Sequence, residues 1–172
     1  MQDALSDFPL RDEEGDIRPE FLHAVIDALE AEDASRAREL TVDLHEADLA
    51  DLLEVLRQDD RAALIGALGE DFKAAALPEL DEAVRDQVLE EMPPEQVAEA
   101  LQELDSDEAV YLIEDLDRKD REDILSKLPY FERIALQRSV EYPEDSAGRM
   151  MQTDLIAVPP FWSVGQTIDY MR

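Results

Sequence analysis

The sequence contains no cysteine and little glycine, lysine or histidine, and each of these scarcities removes a class of function. Without cysteine the chain has neither disulfides nor thiolate metal sites, which fits a reducing compartment. The two histidines, His23 and His45, stand outside any HExxH pattern, so no zinc site is expected. The five glycines form no phosphate-cradling loop.

Long hydrophobic runs and basic residues are also missing. No run approaches the roughly 20 apolar residues of a membrane-spanning helix, and the first residues lack the features of a signal peptide. Only 16 Lys and Arg stand against 45 Asp and Glu, giving a formal net charge of -29. Nucleic acids and anionic lipids are bound through Lys and Arg clusters, so both are excluded as partners. Cations are the expected partners, although such acidity is also typical of adaptation to high salt.

The strongest positive signal is an apolar repeat with a period of about 24 residues. Four columns of apolar residues recur in register: Leu29, Leu53, Leu77, Leu101, Leu125; Leu56, Leu80, Leu104, Leu128; Leu40, Leu64, Val88, Leu112, Leu136; and Leu44, Leu68, Met92, Leu116, Val140. In each repeat the first two columns are three residues apart and the last two are four apart, so each pair lies on one helix face. We therefore predict two short helices per repeat.

Such short helix pairs cannot bury their apolar faces alone, so the repeats are expected to stack into a superhelix with one continuous core. The repeat itself leaves the hand of the superhelix open. Pro94 predicts a helix that starts near Glu95, and Pro129 predicts a break between two helices. Pro78 lies inside the third repeat and predicts a shortened or kinked helix there.

The pattern changes after Val140. Residues 141–151 break the leucine columns and are typical of a connection between domains. Residues 155–158 are predicted to form a short strand, and Ser163 is predicted to be the N-cap of a following helix. The apolar pattern of that helix is still unmatched at Arg172, so we expect the natural chain to continue.

The run EYPEDSAGRMMQTDLIAVPPFWSVGQTIDYMR, from residue 141 onward, resembles the start of the CBS module in the MgtE family of magnesium transporters. In that family a Tyr-x-Glu-Asp-x-Ala-Gly-x-Leu/Met-Met-Thr stretch leads into a strand, a proline and a Thr/Ser-Val helix start. One departure is Gln152, which precedes Thr153 where the family usually has Thr directly after Met. Upstream, the acidic helices, including PEQVAEAL at 94–101, are similar to the family's N-terminal superhelix.

The resemblance implies an all-α, right-handed superhelix of short helix pairs over residues 1–141, followed at 142–172 by a linker and the beginning of a CBS domain. It further implies a regulatory, non-enzymatic domain on the cytosolic side of the inner membrane. The implied partners are divalent cations, a second copy of the full-length protein, and its own CBS and transmembrane domains. Several Mg²⁺ ions would lie between superhelix and CBS carboxylates, and high cytosolic Mg²⁺ would favour the closed pore.

By the same resemblance, Asp51, Glu95 and Glu99 correspond best to the family's acidic ligands and are the candidate Mg²⁺ ligands. Mg²⁺ commonly takes one or two protein carboxylates and keeps several waters. Glu95 and Glu99 are one helical turn apart, and Asp51 precedes Glu99 by two repeats. The Gly148–Arg149 loop is a further candidate, through a backbone carbonyl. Acidic pairs on acidic helices are usually solvated surface, which is the alternative interpretation of all these residues.

Two other classes of function compete with this interpretation. A protein-interaction solenoid resembling flagellar motor switch proteins would explain residues 20–140 and leave the CBS-like junction unused. An enzyme with paired carboxylates would need a positioned base in a cleft, which the sequence does not indicate.

Overall fold

The computed structural model describes residues 10–12, 14–114, 116–143, 146–151 and 158–171, and these ranges contain ten α-helices. The helices are α1 (Pro19–Glu30), α2 (Ala34–Thr41), α3 (Glu46–Val55), α4 (Gln58–Leu68), α5 (Glu82–Glu91), α6 (Pro94–Glu103), α7 (Ser106–Glu114), α8 (Arg118–Lys127), α9 (Tyr130–Val140) and α10 (Val164–Tyr170). Two 3₁₀ turns, Gly69–Asp71 and Ala74–Ala76, lie between α4 and α5. Within the described ranges, the one β-type pairing is a bridge between Arg11 and Ile17. The predicted all-α fold is confirmed.

Local signals fix where several helices begin. The Asp33 carboxylate accepts a hydrogen bond from the Arg36 amide at the start of α2, and the Asp117 carboxylate accepts one from the Asp120 amide at the start of α8. These contacts satisfy backbone donors that a helix N-terminus leaves unpaired. α6 begins at Pro94, whose missing N–H costs nothing at the first helical position.

Most of the helices at the same place in successive repeats stack on one another. α3 packs on the turn Ala74–Ala76, this turn packs on α6, and α6 packs on α8. We call these four elements the first-helix layer. The other layer contains α2, α4 and α5, packed in that order, and the pair α7 and α9. The two-helix repeat predicted from the leucine spacing is therefore confirmed, and the hand of the superhelix stays a prediction.

The core follows the four leucine columns. Every member of the columns is either buried or packed against the buried cluster. Leu53 and Leu64 of the second repeat and Leu77 of the third are each 0% exposed. Full burial of one such side chain contributes about 1.5–3 kcal/mol. Because each repeat adds its leucines to the same cluster, the core runs continuously through the stack.

The third repeat is the least regular, as the proline pattern predicts. Its first helix is reduced to the 3₁₀ turn Ala74–Ala76, which ends two residues before Pro78. Proline cannot donate the hydrogen bond that a continuing helix needs, and its ring clashes with the preceding turn. The backbone turns at Gly69, whose φ of 53° favours glycine. Leu77 remains fully buried, so the repeat keeps its place in the core.

The segment that follows α9 folds back onto the helices. The Arg149 side chain is only 10% exposed, and its Nε and Nη2 lie 3.0 and 2.9 Å from Glu114 Oε2 on α7. Its Nη1 donates to the carbonyl oxygen of Val140, the last residue of α9, and to that of Tyr142, two residues beyond the helix. Basic groups at this position interact favourably with the last carbonyls of a helix. We call this set of contacts the Arg149 clamp.

Close packing at Gly148 holds the same segment in place. A Cβ atom at Gly148 would lie 2.7–2.9 Å from three ring carbons of Tyr142, closer than ordinary van der Waals contact. The described part of residues 141–151 is therefore attached to the helical domain, whereas sequence analysis identified it only as a connection between domains.

The last described element is α10. Ser163 and Gln166 form a reciprocal capping box at its N-terminus, so the predicted N-cap is confirmed. The strand predicted at 155–158 falls, except for Val158, outside the described residues, and the CBS assignment and domain boundary remain predictions. In the described ranges no helix combines the length and apolar character needed to cross a bilayer.

Candidate metal site

The three predicted ligands lie in the first-helix layer. Glu95 occupies the first turn of α6 and Glu99 lies one turn later on the same helix, and both are exposed. The positive end of the α6 dipole favours negative charge at Glu95. Asp51 lies on α3 and is half-buried. Side chains one turn apart are neighbours, so Glu95 and Glu99 are able to approach one ion together.

α3 and α6 show the same pattern of burial two repeats apart. Leu49 and Leu53 are buried on α3, as are their counterparts Val97 and Leu101 on α6. Asp51 and Glu99 occupy equivalent positions between these core residues and point away from the core. The equivalence of the two positions, predicted from the spacing, agrees with this packing.

Asp51 and Glu99 are nevertheless too far apart to share an ion. The turn Ala74–Ala76 lies between α3 and α6, and packed helices stand about 8–10 Å apart, so two steps place the carboxylates roughly 16–20 Å apart. Mg²⁺ binds oxygen at about 2.0–2.1 Å. The predicted trio therefore corresponds to at least two separate positions, one at Asp51 and one at the Glu95–Glu99 pair.

The same 24-residue spacing reveals two acidic residues that the sequence reasoning missed. Asp27 on α1 precedes Asp51 by one repeat, and Asp123 on α8 follows Glu99 by one repeat. Both are exposed. The irregular third repeat carries Ala75 at this position. We call Asp27, Asp51, Glu99 and Asp123 the acidic column.

Glu95 forms an ion pair with a lysine of the next helix in the layer. Lys127 Nζ, at the end of α8, lies 2.5 Å from Glu95 Oε1. The hydrogen bond from Lys127 lowers the pKa of Glu95 below its ordinary value, and the same bond raises the pKa of Lys127. Both groups therefore stay charged at neutral pH, and Glu95 offers only acceptor oxygens.

Asp51 is likewise paired, with an arginine that precedes α1. Arg11 Nη2 lies 2.5 Å from Asp51 Oδ2, and Arg11 Nε lies 2.7 Å from Asp48 Oδ1. Its Nη1 donates to the Gly15 carbonyl at 2.8 Å. Hydrogen bonds to Asp51 and Asp48 raise the pKa of Arg11. The turn around Arg11 is closed by an amide hydrogen bond from Arg18 to the Leu10 carbonyl.

Glu99 lies beside a recess with two further carboxylates. The recess has a volume of about 40 Å³ and is lined by Glu99 and Glu103 of α6 and by Glu70, Phe72 and Ala74 of the third repeat, among others. In the part of the chain that the structure describes, Glu99 forms no ion pair. Of the three predicted ligands, it is the one whose carboxylate carries no basic partner there.

Two other acidic regions lie outside the predicted trio. Carboxylate oxygens of Asp12, Glu14 and Asp16 come within 4.8 Å of one another. Asp12 Oδ1 already accepts the amides of the other two residues, so it shapes the turn. A cleft of about 410 Å³ beside the Gly148–Arg149 loop is lined by several residues, including Asp107, Glu108, Tyr111, Glu114 and Arg149. The role predicted for the carbonyl of this loop stays a prediction.

A stack of short acidic helix pairs with outward-facing carboxylates matches a known class of intracellular domain. Residues 44–145 match the family model described as the MgtE intracellular N domain. Because this match spans more than half of the chain, the chain belongs to that family and is an intracellular domain. The resemblance drawn from the sequence is confirmed, and it prevails over the motor-switch alternative.

Solved structures similar to this chain include two parts of magnesium transport proteins. One is the crystal structure of the soluble part of a magnesium transporter, with a TM-score of 0.73 and 25% identity over 87% of this chain and 59% of that chain. The other is the crystal structure of the cytosolic domain of the Mg²⁺ channel MgtE in complex with ATP, with a TM-score of 0.72 and 24% identity over 87% of this chain and 62% of that chain. A comparison with curated protein sequences gives no match. The chain thus spans about three fifths of the length of the solved chains it resembles.

Proposed function

We propose that this chain is the Mg²⁺-sensing regulatory domain of a magnesium transporter and has no enzymatic activity of its own. The observation that carries the proposal is the acidic column, which places a carboxylate at equivalent outward positions of α1, α3, α6 and α8. Family membership supplies the transporter context. The donor set fits the ion, because Mg²⁺ is a hard cation that prefers oxygen ligands and commonly uses one or two carboxylates.

The sensing mechanism follows from charge. Asp51, Glu95 and Glu99 would face carboxylates of a CBS module that begins after residue 141, in a homodimeric full-length protein. Two like charges about 4 Å apart repel by about 4 kcal/mol at an effective dielectric near 20. Bridging Mg²⁺ reverses the sign of that interaction, so the compact arrangement is populated at high Mg²⁺. Because Mg²⁺ binds the compact arrangement more tightly than the separated one, it biases the pore towards closure.

Thermal unfolding of the chain tests the ion requirement. Mg²⁺ is expected to raise the Tm more than Na⁺ does at matched ionic strength, because a ligand of the native state stabilises it. One site saturated at 100 times its Kd contributes about 2.7 kcal/mol. Glu99→Ala should reduce the excess of the Mg²⁺-induced Tm increase over the Na⁺-induced one. Glu90→Ala removes the same charge from an exposed position on α5, outside the first-helix layer, and should leave the excess unchanged.

Two results would contradict the proposal. Equal stabilisation by Mg²⁺ and Na⁺ at matched ionic strength would mean that the acidic column is only screened. If Glu99→Ala and Glu90→Ala reduced the excess stabilisation by Mg²⁺ equally, that stabilisation would depend on total charge and not on the acidic column.

In the full-length transporter, alanine at Asp51, Glu95 and Glu99 is expected to raise the Mg²⁺ concentration that inhibits transport and to leave conduction itself intact. The reason is that the ligands belong to the sensor and not to the pore. Patch-clamp recording against cytosolic Mg²⁺ measures both quantities. An unshifted inhibition curve would remove these residues from the mechanism.

A further inference from the structure

Two of the three predicted ligands already form ion pairs with basic side chains of the same chain. Basic residues are scarce, with 16 Lys and Arg against 45 Asp and Glu. Nevertheless, Lys127 contacts Glu95 across 32 residues of sequence, and Arg11 contacts Asp51 across 40. Neither contact arises from local helical spacing, because each joins separate elements of the fold. The placement of these two basic groups therefore calls for a functional explanation.

The Lys127 contact is suited to displacement. Lys127 and Glu95 side chains are 36% and 61% exposed, so water can solvate either group as soon as they separate. Exposed ion pairs of this kind are weak. Lysine carries a compact charge on a flexible four-carbon stem, so its ammonium group can leave without any movement of α6 or α8.

The Arg11 contact holds more tightly. One guanidinium group bridges Asp48 and Asp51, whose side chains are 30% and 49% exposed, and Arg11 itself is 35% exposed. The fork of donors on arginine matches paired carboxylates better than an ammonium group does. Asp51 is therefore expected to exchange its cation less readily than Glu95.

A carboxylate oxygen that accepts a hydrogen bond from a basic side chain cannot bind Mg²⁺ equally strongly at the same time. Mg²⁺ requires near-octahedral geometry and binds through one or two carboxylates and several waters. A divalent ion at Glu95 would also meet the positive charge of Lys127 at a few ångströms. Binding there consequently requires the ammonium group to move into solvent, with no covalent bond made or broken.

We propose that Lys127 and Arg11 are internal counter-cations, which occupy the carboxylates of Glu95 and Asp51 and must be displaced by a divalent ion. This proposal rests on the proposed function, whose ligands it takes as given. The two basic residues then set the Mg²⁺ concentration at which the sites fill. They also keep the acidic surface partly neutralised while Mg²⁺ is low.

Lys127→Met tests the proposal, since methionine keeps an apolar stem of similar length without the charge. The matched control is Lys119→Met, which removes the same charge from an exposed position on the same helix. In a Mg²⁺ titration followed by Tm at constant ionic strength, Lys127→Met is expected to lower the Mg²⁺ midpoint by roughly two- to fivefold relative to Lys119→Met. Arg11→Gln should lower it relative to Arg36→Gln, which instead disrupts the exposed Arg36–Glu39 pair.

A second measurement follows the displacement itself. In the unsubstituted chain, the carboxyl ¹³C signal of Glu95 and the Nζ signal of Lys127 are expected to shift together as MgCl₂ is added. Equal midpoints in Lys127→Met and Lys119→Met, or a Lys127 signal that stays fixed while Glu95 shifts, would overturn the counter-cation role. Absence of any Mg²⁺-specific stabilisation in the unsubstituted chain would instead overturn the proposed function, and the counter-cation role would fall with it.

Discussion

Leu53→Ala is expected to lower the free energy of unfolding by about 2–5 kcal/mol. Leu53 lies on α3, is 0% exposed and belongs to the first leucine column. Removing its side-chain methyl groups forfeits their burial and leaves a cavity that the stacked repeats fill only in part. Chemical denaturation monitored by circular dichroism at 222 nm measures the loss.

Val55→Ala is the matched control for this substitution. Val55 lies on the same helix, two residues away, and is 54% exposed. Its truncation removes little buried surface, so the change should stay within about 0.5 kcal/mol. Similar losses in the two variants would contradict the assignment of the leucine column to the core.

Arg149→Met is expected to destabilise the chain by about 2–4 kcal/mol, because it breaks the Arg149 clamp. The substitution leaves the Glu114 carboxylate without its guanidinium partner and exposes the last carbonyls of α9 to competition from water. Glu114 is 23% exposed, so the loss should fall below that of a fully buried pair. Denaturant unfolding of the two forms gives the difference directly.

Arg118→Met provides the comparison for the clamp. Arg118 also pairs with a glutamate, Glu122, but their side chains are 86% and 63% exposed, and such pairs contribute only about 0.3–0.5 kcal/mol. A double-mutant cycle of Arg149→Met with Glu114→Gln isolates the coupling between the clamp residues. A coupling no larger than that of the Arg118–Glu122 pair would show that the segment after α9 is not held by this contact.

Much of the fold was predictable because regularly spaced leucines mark the buried positions of this chain. The repeat period and the two helices per repeat follow from which positions must face the core, and the break at Pro129 follows from the proline itself. Pro78 indicated the irregular third repeat, since proline restricts the backbone in the same way in any context. The exact form of that irregularity, a 3₁₀ turn, depends on packing against α3 and α6 and was not predictable.

The candidate site was less predictable, for an electrostatic reason. Among 45 acidic residues, spacing alone places Asp51 and Glu99 on equivalent faces but cannot choose which carboxylates receive the few basic partners. The contacts of Lys127 with Glu95 and of Arg11 with Asp51 join residues that only the fold brings together. Arg149 likewise lies in a stretch whose sequence is typical of a connection between domains. Only the structure shows that it holds this stretch to the helices, through its hydrogen bond to the last carbonyl of α9.

The short turn in the third repeat shapes the surface beside Glu99. Three residues of 3₁₀ helix advance about 6 Å, whereas ten residues of α-helix advance about 15 Å. The first-helix layer is therefore shorter by roughly 9 Å at Ala74–Ala76 than at its neighbours, and the recess beside Glu99 and Glu103 opens next to this turn. Glu99, which is exposed, therefore stands beside a gap in the layer that a full-length helix would have filled.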